Sequence, residues 1–235
     1  MRPAIIASTL VIVCSGLYIA AGETTDRKEP VMAKALEATI ADRIAEFDRI
    51  PADRRRELDT FADMVRQARQ GDRPARLVFI CTHNSRRSHM CQIWAAVAAY
   101  HYGVSGIHTY SGGTESTAFN PRAVAAMERA GLRIARTTDD DNPIYHVRYS
   151  DDAHPLTCFS KVYDHAPNPK KDFIAVMNCD HANEACPIVR GASKRVALMY
   201  EDPKVADGTP EEAAKYDERC RQIGREMLYV FSRLK

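Results

Sequence analysis

Leu77-Val78-Phe79-Ile80-Cys81-Thr82-His83-Asn84-Ser85-Arg86-Arg87-Ser88 is the stretch on which the reading of this chain turns. Four consecutive apolar residues predict a buried strand, and the cysteine falls where that strand ends. Arg87 follows Cys81 in a C-x5-R spacing, then Ser88, then an apolar-periodic stretch that predicts a helix. A loop between a strand and a helix N-terminus is a natural oxyanion site. Backbone N–H groups converge there, the helix dipole is positive, and an arginine can grip two oxygens at once. Such surroundings favour thiolate over thiol. Nucleophile and anion cradle would then be one loop. A bare C-x5-R is weak evidence in a chain with seven cysteines, and a buried strand-end cysteine beside a solvated arginine is the plainer alternative. Context counts against it: a strand precedes, a hydroxyl follows, and no other cysteine has arginine at that spacing.

Composition sets the frame. At 235 residues, 45% hydrophobic and 27% charged, the chain has room for one substantial core. A net charge of +2, without a basic run interleaved with aromatics, gives no case for nucleic acid as a partner. The first 22 residues stand apart. Arg2 precedes an uncharged apolar stretch from Ala4 to Ala21, and Ala20-Ala21-Gly22 offers small residues for cleavage. A secretory signal peptide is expected, making the protein exported and periplasmic. Uncleaved, the segment is near the minimum for one membrane anchor. A start at Met32 would instead leave the protein cytoplasmic. Without Cys14, six cysteines remain, an even count that allows structural bridges. Cys158 and Cys220, which match no motif, are the candidates.

Apolar residues recur at Met32, Leu36, Ile40, Ile44 and Phe47, and again at Leu58, Phe61, Val65 and Ala68. The helical period predicts a hairpin of two helices broken at Ile50-Pro51. From Arg76 onward strands and helices alternate. Strands are expected at 77–80, 107–110, 173–177 and 196–200, and helices at 86–102, 121–130 and 210–234. Such alternation implies an α/β fold, a parallel sheet covered by helices. The organisation expected is a signal peptide or anchor at 1–22, tether and helical hairpin at 23–75, and the main domain at 76–235. Residues 137–171 fit least well, being rich in Asp, Pro, His and Tyr; Tyr145, Tyr149, Phe159 and Tyr163 could form a lid, or the stretch could be a loop-rich surface insertion.

Five pieces run in a consistent order: Cys81-Thr82-x-Asn84-Ser85-x-Arg87-Ser88, Tyr110-Ser111-Gly112-Gly113, Asn120-Pro121-Arg122-Ala123-Val124, Cys179-x6-Cys186 followed by Pro187-Ile188, and Asp202-Pro203. Together they resemble the low-molecular-weight protein tyrosine phosphatase superfamily and, within it, the thioredoxin-coupled arsenate reductases. The resemblance implies a four-stranded parallel sheet with helices on both faces and the site at its carboxyl edge. It implies Cys81 as nucleophile, with Thr82, His83, Asn84, Ser85, Arg86, Arg87 and Ser88 binding the substrate oxyanion. Arg87 would clamp the oxygens, Ser88 would hydrogen-bond the sulfur, and Asn84 would brace the loop. Asp202 would protonate the departing oxygen, although a turn-capping aspartate before Pro203 is its plainer reading.

The reductase branch further implies a relay. Cys179 would displace arsenite from a Cys81 adduct, Cys186 would resolve the disulfide, and an external thioredoxin-like reductant would restore the thiols. No resident cofactor or metal is expected. A zinc site from Cys179, His181 and Cys186 is the competing view, and it lacks a fourth ligand. The chain departs from the family pattern at His83, where glycine is usual, at Arg86, where cysteine is common, and at Gln92, where relatives often have a glutamate serving a cation. Lys204-Val205 stands where phosphatases often carry a tyrosine pair. Two alternatives stay open: a phosphatase for phosphotyrosine or small phosphoesters, and a non-catalytic oxyanion-binding or redox-sensing module.

Overall fold

The computed structural model describes residues 32–71, 73–186 and 188–235. The stretch expected to be a signal peptide or anchor (1–22), the expected tether at 23–30, Cys14 and Pro187 lie outside the described residues.

Strand β1 (Ala75–Cys81) is buried along nearly its whole length because its side chains feed two cores. Leu77 and Phe79 face the larger core, while Val78 and Ile80 face a smaller one on the opposite side. Parallel pairing places β1 between β2 (Ile107–Gly113) and β6 (Phe173–Met177), and β6 pairs with β7 (Ala192–Ala197), giving the order β2-β1-β6-β7. This is the expected four-stranded parallel sheet. The chain leaves β1 first to one side, for β2, and later to the other, for β6. The carboxyl end of β1 is therefore the point where the winding reverses and where open sheets leave a crevice.

The larger face is covered by α3 (Arg87–His101), α6 (Glu212–Ser232), α4 (Pro121–Arg129) and an N-terminal hairpin of α1 (Lys34–Ile44) and α2 (Ala52–Ala68). Every residue of α3 from Ser88 to Ala99 is buried, as befits a helix enclosed on all sides. Leu36, Ile40, Leu58, Phe61 and Val65 join the same core as the sheet. At about 1.5–3 kcal/mol per buried apolar side chain, that contact holds the hairpin firmly. Charge pairs add direction: Arg54 Nη2 lies 2.8 Å from Glu226, and Arg221 hydrogen-bonds Glu46 and holds its carboxyl below the usual range.

The opposite face carries less helix. Among the described residues, the helix packed there is α5 (Asp180–Ala185), six residues long, with loop residues such as Tyr163 and Met199.

Residues 133–158 correct the sequence expectation of a lid or surface insertion. Strands β3 (Arg133–Arg136), β4 (Tyr145–Arg148) and β5 (Leu156–Cys158) form a second, antiparallel sheet. Its strands are three or four residues long, too short for alternation to register as a signal. Tyr145 is buried edge-on against Phe119, with ring centroids 5.5 Å apart, and Tyr149 meets Tyr100 edge-on at 5.4 Å. Tyr163 backs onto Gly112 so closely that a Cβ there would lie 2.3 Å from the Tyr163 Cα. These aromatics pack into the body rather than forming a flap. β2 also runs through Gly113, three residues beyond its expected end, and β7 begins at Ala192, four residues earlier than expected.

Candidate active site

Cys81 is the last residue of β1 and is 3% exposed. Its Sγ lies 3.1 Å from Ser88 Oγ, in the first turn of α3. Asn84 Nδ2 donates to the same Ser88 oxygen at 2.9 Å, and Asn84 Oδ1 accepts from the Lys161 backbone N–H at 3.0 Å. Asn84 adopts φ +45°, a left-handed conformation that asparagine tolerates better than most residues. Its side chain thus ties the turn of the loop to the serine on one side and to the 159–163 segment on the other.

The loop is fixed from outside at every residue before Arg86. The Thr82 carbonyl accepts from Glu115 N at 2.8 Å and the His83 carbonyl from Ser160 Oγ at 2.8 Å. Ser85 Oγ donates to the Ala118 carbonyl at 2.7 Å. Gly113 lies directly against this turn: a Cβ there would stand 2.2 Å from the Glu115 oxygen and 2.6 Å from the Thr82 oxygen. Only glycine permits that approach. His83 does not strain the loop, since the non-glycine residues with positive φ among those described are Asn84 and Asp172. Its imidazole, 46% exposed, lies 3.5 Å from Glu115.

Arg87 is committed to the carboxyl edge of the sheet. Its Nη1 donates to the Tyr200 carbonyl at 2.9 Å and its Nη2 to Asp202 Oδ2 at 2.7 Å, while its buried Nε has no protein partner. Asp202 also accepts from Lys204 N at 3.1 Å, capping the turn at Pro203–Ala206. The turn-capping reading of Asp202 thus holds for one carboxylate oxygen, while the other faces Arg87. Arg86 Nε lies 3.9 Å from Asp202 Oδ1 and donates to the Tyr216 hydroxyl at 2.8 Å, which donates to Asp207 at 2.8 Å. Burial, then Asp207, push the Tyr216 phenol up to about 12.

The second cysteine comes from the neighbouring strand. Cys179 caps α5 just past β6, and its Sγ accepts from Ala182 N at 3.4 Å. Thr82 Oγ1 lies 3.4 Å from that sulfur and 3.3 Å from His181 Nδ1. Cys186 closes the same short helix and is half-buried. Cys81, Cys179 and Cys186 share one small apolar cluster with Val78, Ile80 and Met177. Residues 98 positions apart in the chain thus join one cluster at the ends of adjacent parallel strands. The Thr82–His181 and Asn84–Lys161 contacts left no signature in the sequence, because each joins segments set side by side only by the sheet.

The remaining described thiols, Cys91, Cys158 and Cys220, are free and buried, so the structural bridges considered for Cys158 and Cys220 are not formed. Burial raises all three, Cys158 to about 12 and Cys220 to about 11. Cys220 instead accepts from Trp94 Nε1 at 3.3 Å. Gln92 is buried beside β2, donating to the Thr109 carbonyl at 3.3 Å. Among the described residues no group of three or more His, Cys, Asp or Glu side chains is arranged to hold a metal ion, and no helix is long and apolar enough to cross a membrane.

Chemically, the site offers a sulfur with a hydroxyl beside it, a guanidinium paired to a carboxylate, and two further thiols on the adjacent helix. The family described as low molecular weight phosphotyrosine protein phosphatase matches residues 76–141. The chain is 30% identical over 150 residues to an arsenate reductase of Halalkalibacterium halodurans, covering 63% of this chain and 89% of the relative. It is 32% identical over 151 residues to an arsenate reductase of Bacillus licheniformis, covering 63% and 88%. A crystal structure of a low molecular weight phosphotyrosine phosphatase from Vibrio cholerae O395 aligns with a TM-score of 0.46 at 13% identity, over 67% of this chain and 95% of that one.

Proposed function

This chain belongs to the low-molecular-weight phosphotyrosine phosphatase superfamily, enzymes with a cysteine nucleophile, and on that premise we propose that it reduces arsenate through three cysteines. The observation that carries the reading is the meeting of Cys81, Cys179 and Cys186 in one cluster, with the Thr82 hydroxyl touching the second sulfur.

In this reading the Cys81 sulfur attacks arsenic while Arg87 and the loop N–H groups hold the equatorial oxygens. Asp202 protonates the departing oxygen, which leaves as water. Cys179 then attacks Cys81 Sγ. The sulfur–arsenic bond breaks with its electron pair staying on arsenic, so As(V) becomes As(III) and a Cys81–Cys179 disulfide forms. Cys186 attacks Cys179 and frees Cys81, and an external dithiol of thioredoxin type reduces the Cys179–Cys186 bond. The turns of α5 between these two sulfurs would have to open as the bond migrates.

The phosphatase reading uses the same Cys81, Arg87 and Asp202, the carboxylate held beside Arg87, and makes no use of Cys179 and Cys186 in turnover. Turnover of arsenate with a dithiol reductant, set against hydrolysis of p-nitrophenyl phosphate, separates the two. The relay requires arsenite formation that is lost in Cys179→Ser and Cys186→Ser. Full arsenate turnover in Cys186→Ser would sink it, and phosphatase activity indifferent to Cys179→Ser would favour the second reading. Export through residues 1–22 is proposed alongside, and the N-terminal mass of the mature protein tests it.

A further inference from the structure

Cys179 poses a proton problem that the relay does not solve by itself. Cys179 is 2% exposed, yet its sulfur must shed a proton before it can attack. The sulfur sits in an apolar cluster, where bulk water has little access to collect the proton. Two polar groups meet the sulfur: the Ala182 N–H and the Thr82 hydroxyl, each 3.4 Å away. The N–H can stabilise a thiolate but cannot accept a proton. A hydroxyl can do both, having one proton and two lone pairs. On its far side, 3.3 Å away, stands His181 Nδ1, on a residue exposed to solvent.

We propose that His181 is the proton acceptor for Cys179, acting through the Thr82 hydroxyl, so that the buried second thiol is activated by a side-chain relay leading to solvent. This rests on the reading in which Cys179 attacks Cys81. The Cys179 proton passes to Thr82 Oγ1 while the threonine's own proton passes to His181 Nδ1, leaving a thiolate and an imidazolium with no net change of charge. The thiolate attacks Cys81 Sγ, and the imidazolium releases its proton to water. Thr82 is left as it began, donating to the new thiolate beside the Ala182 N–H. His181 touches neither sulfur and is a positioning residue for the proton.

The neighbouring charged groups are otherwise placed. Asp180 and Glu184 on α5 are exposed, and Arg195 from β7 donates to the Asn183 carbonyl at 2.8 Å. From the anion loop, His83 faces Glu115. Among the described contacts, the hydroxyl–imidazole pair is the side-chain path from this sulfur to the surface.

The experiment uses the full chain carrying Cys186→Ser, so that the Cys81–Cys179 disulfide persists and mass spectrometry can time its formation. Arsenate drives one arm and hydrogen peroxide the other. Peroxide oxidises the Cys81 sulfur to a sulfenic acid, and Cys179 then closes the disulfide as hydroxide leaves and is protonated to water. Adding His181→Gln, which can still hydrogen-bond Thr82 but cannot take a proton, is expected to slow closure about a hundredfold at neutral pH. The deficit should shrink in alkaline buffer, where hydroxide takes the proton directly. Sulfenic acid formation at Cys81, trapped by dimedone, should be unchanged. Thr82→Val should reproduce the defect and Thr82→Ser should rescue it. Closure at the parental rate in His181→Gln overturns the proposal, as does a deficit independent of pH. A parent chain that makes no arsenite but closes the disulfide under peroxide removes the arsenate reading and leaves the relay to be decided by the same variants. Absence of the disulfide in both arms overturns both.

Discussion

Asp202 Oδ2 lies 2.7 Å from Arg87 Nη2, so the proposed acid and the proposed oxyanion clamp are each other's partners. Both side chains are mostly buried, at 13% and 28% exposure, and Arg86 Nε lies 3.9 Å from the other carboxylate oxygen. An oxyanion that engages Arg87 must share the guanidinium with this carboxylate or displace it. The pair therefore sets a threshold for anion binding and holds the Asp202 carboxylate against Arg87.

Replacing Asp202 should separate these effects. In Asp202→Asn the guanidinium loses its charged competitor, and inorganic phosphate should inhibit about tenfold more tightly, in line with one charge-assisted hydrogen bond. Turnover should fall about a hundredfold or more as the proton donor is lost. Inhibition constants and kcat measured together check this; unchanged phosphate affinity would show that the pair does not compete with the anion.

Thiol reactivity should follow burial. Cys91, Cys158 and Cys220 are buried and pushed up by desolvation, so iodoacetamide at mildly alkaline pH should leave all three unmodified in the folded protein. Half-buried Cys186 should label. Peptide mapping before and after urea unfolding reads the order, and early labelling of Cys158 or Cys220 would contradict their packing.

Lys161 should give stability a pH dependence of known sign. Burial lowers its ammonium from 10.5 to about 8, its Nζ donating to the Phe159 carbonyl at 3.2 Å. Below about 8 the group is charged in both folded and unfolded chains, and the full cost of burying that charge is present. Between about 8 and 10.5 the unfolded chain holds the extra proton, so this lysine's contribution rises with pH, by about 3 kcal/mol in all. Cys158, raised to about 12 by burial, acts in the opposite direction above its ordinary value of 9.0. The comparison of Lys161→Met with the parent isolates the lysine. The substituted protein's relative stability should be greatest at neutral pH and decline across that window in urea titrations; a flat difference would contradict the burial argument.

Asn84 should be sensitive in two separable ways. Asn84→Gly keeps the left-handed turn accessible but removes the bonds to Ser88 and from Lys161, costing about 1–3 kcal/mol. Asn84→Ala adds the strain of φ +45°, roughly 1–2 kcal/mol more. Both should lose phosphate affinity because the loop N–H directions are no longer held. Equal stability of the two in urea would show that the backbone conformation there carries no cost.

Much of the site was legible because its central part is local. Cys81, Arg87 and Ser88 lie within one loop, and a strand end feeding a helix start is marked by the apolar run before it and the periodic run after it. The parallel sheet followed for the same reason: 77–80 and 173–177 are continuous apolar runs, as strands buried on both faces must be. The antiparallel sheet of residues 133–158 was not legible. Its strands are three or four residues long, too short for alternation to stand out in the sequence, although Tyr145 and Val147 of β4 do point into the core.

Chain order alone thus marked the candidate nucleophile and its loop, the spacing of the later cysteines and the alternating architecture, since each is written in neighbours along the backbone. Tertiary structure alone decided that Asp202 faces Arg87, that Lys161 braces Asn84 and that Thr82 joins Cys179 to His181. Those contacts cross 77 to 115 positions of sequence and exist only because parallel strands bring their carboxyl ends to one edge. Hydrogen bonds act over about 3 Å, so their partners are fixed by where the fold sets each segment and leave no periodic trace in the chain.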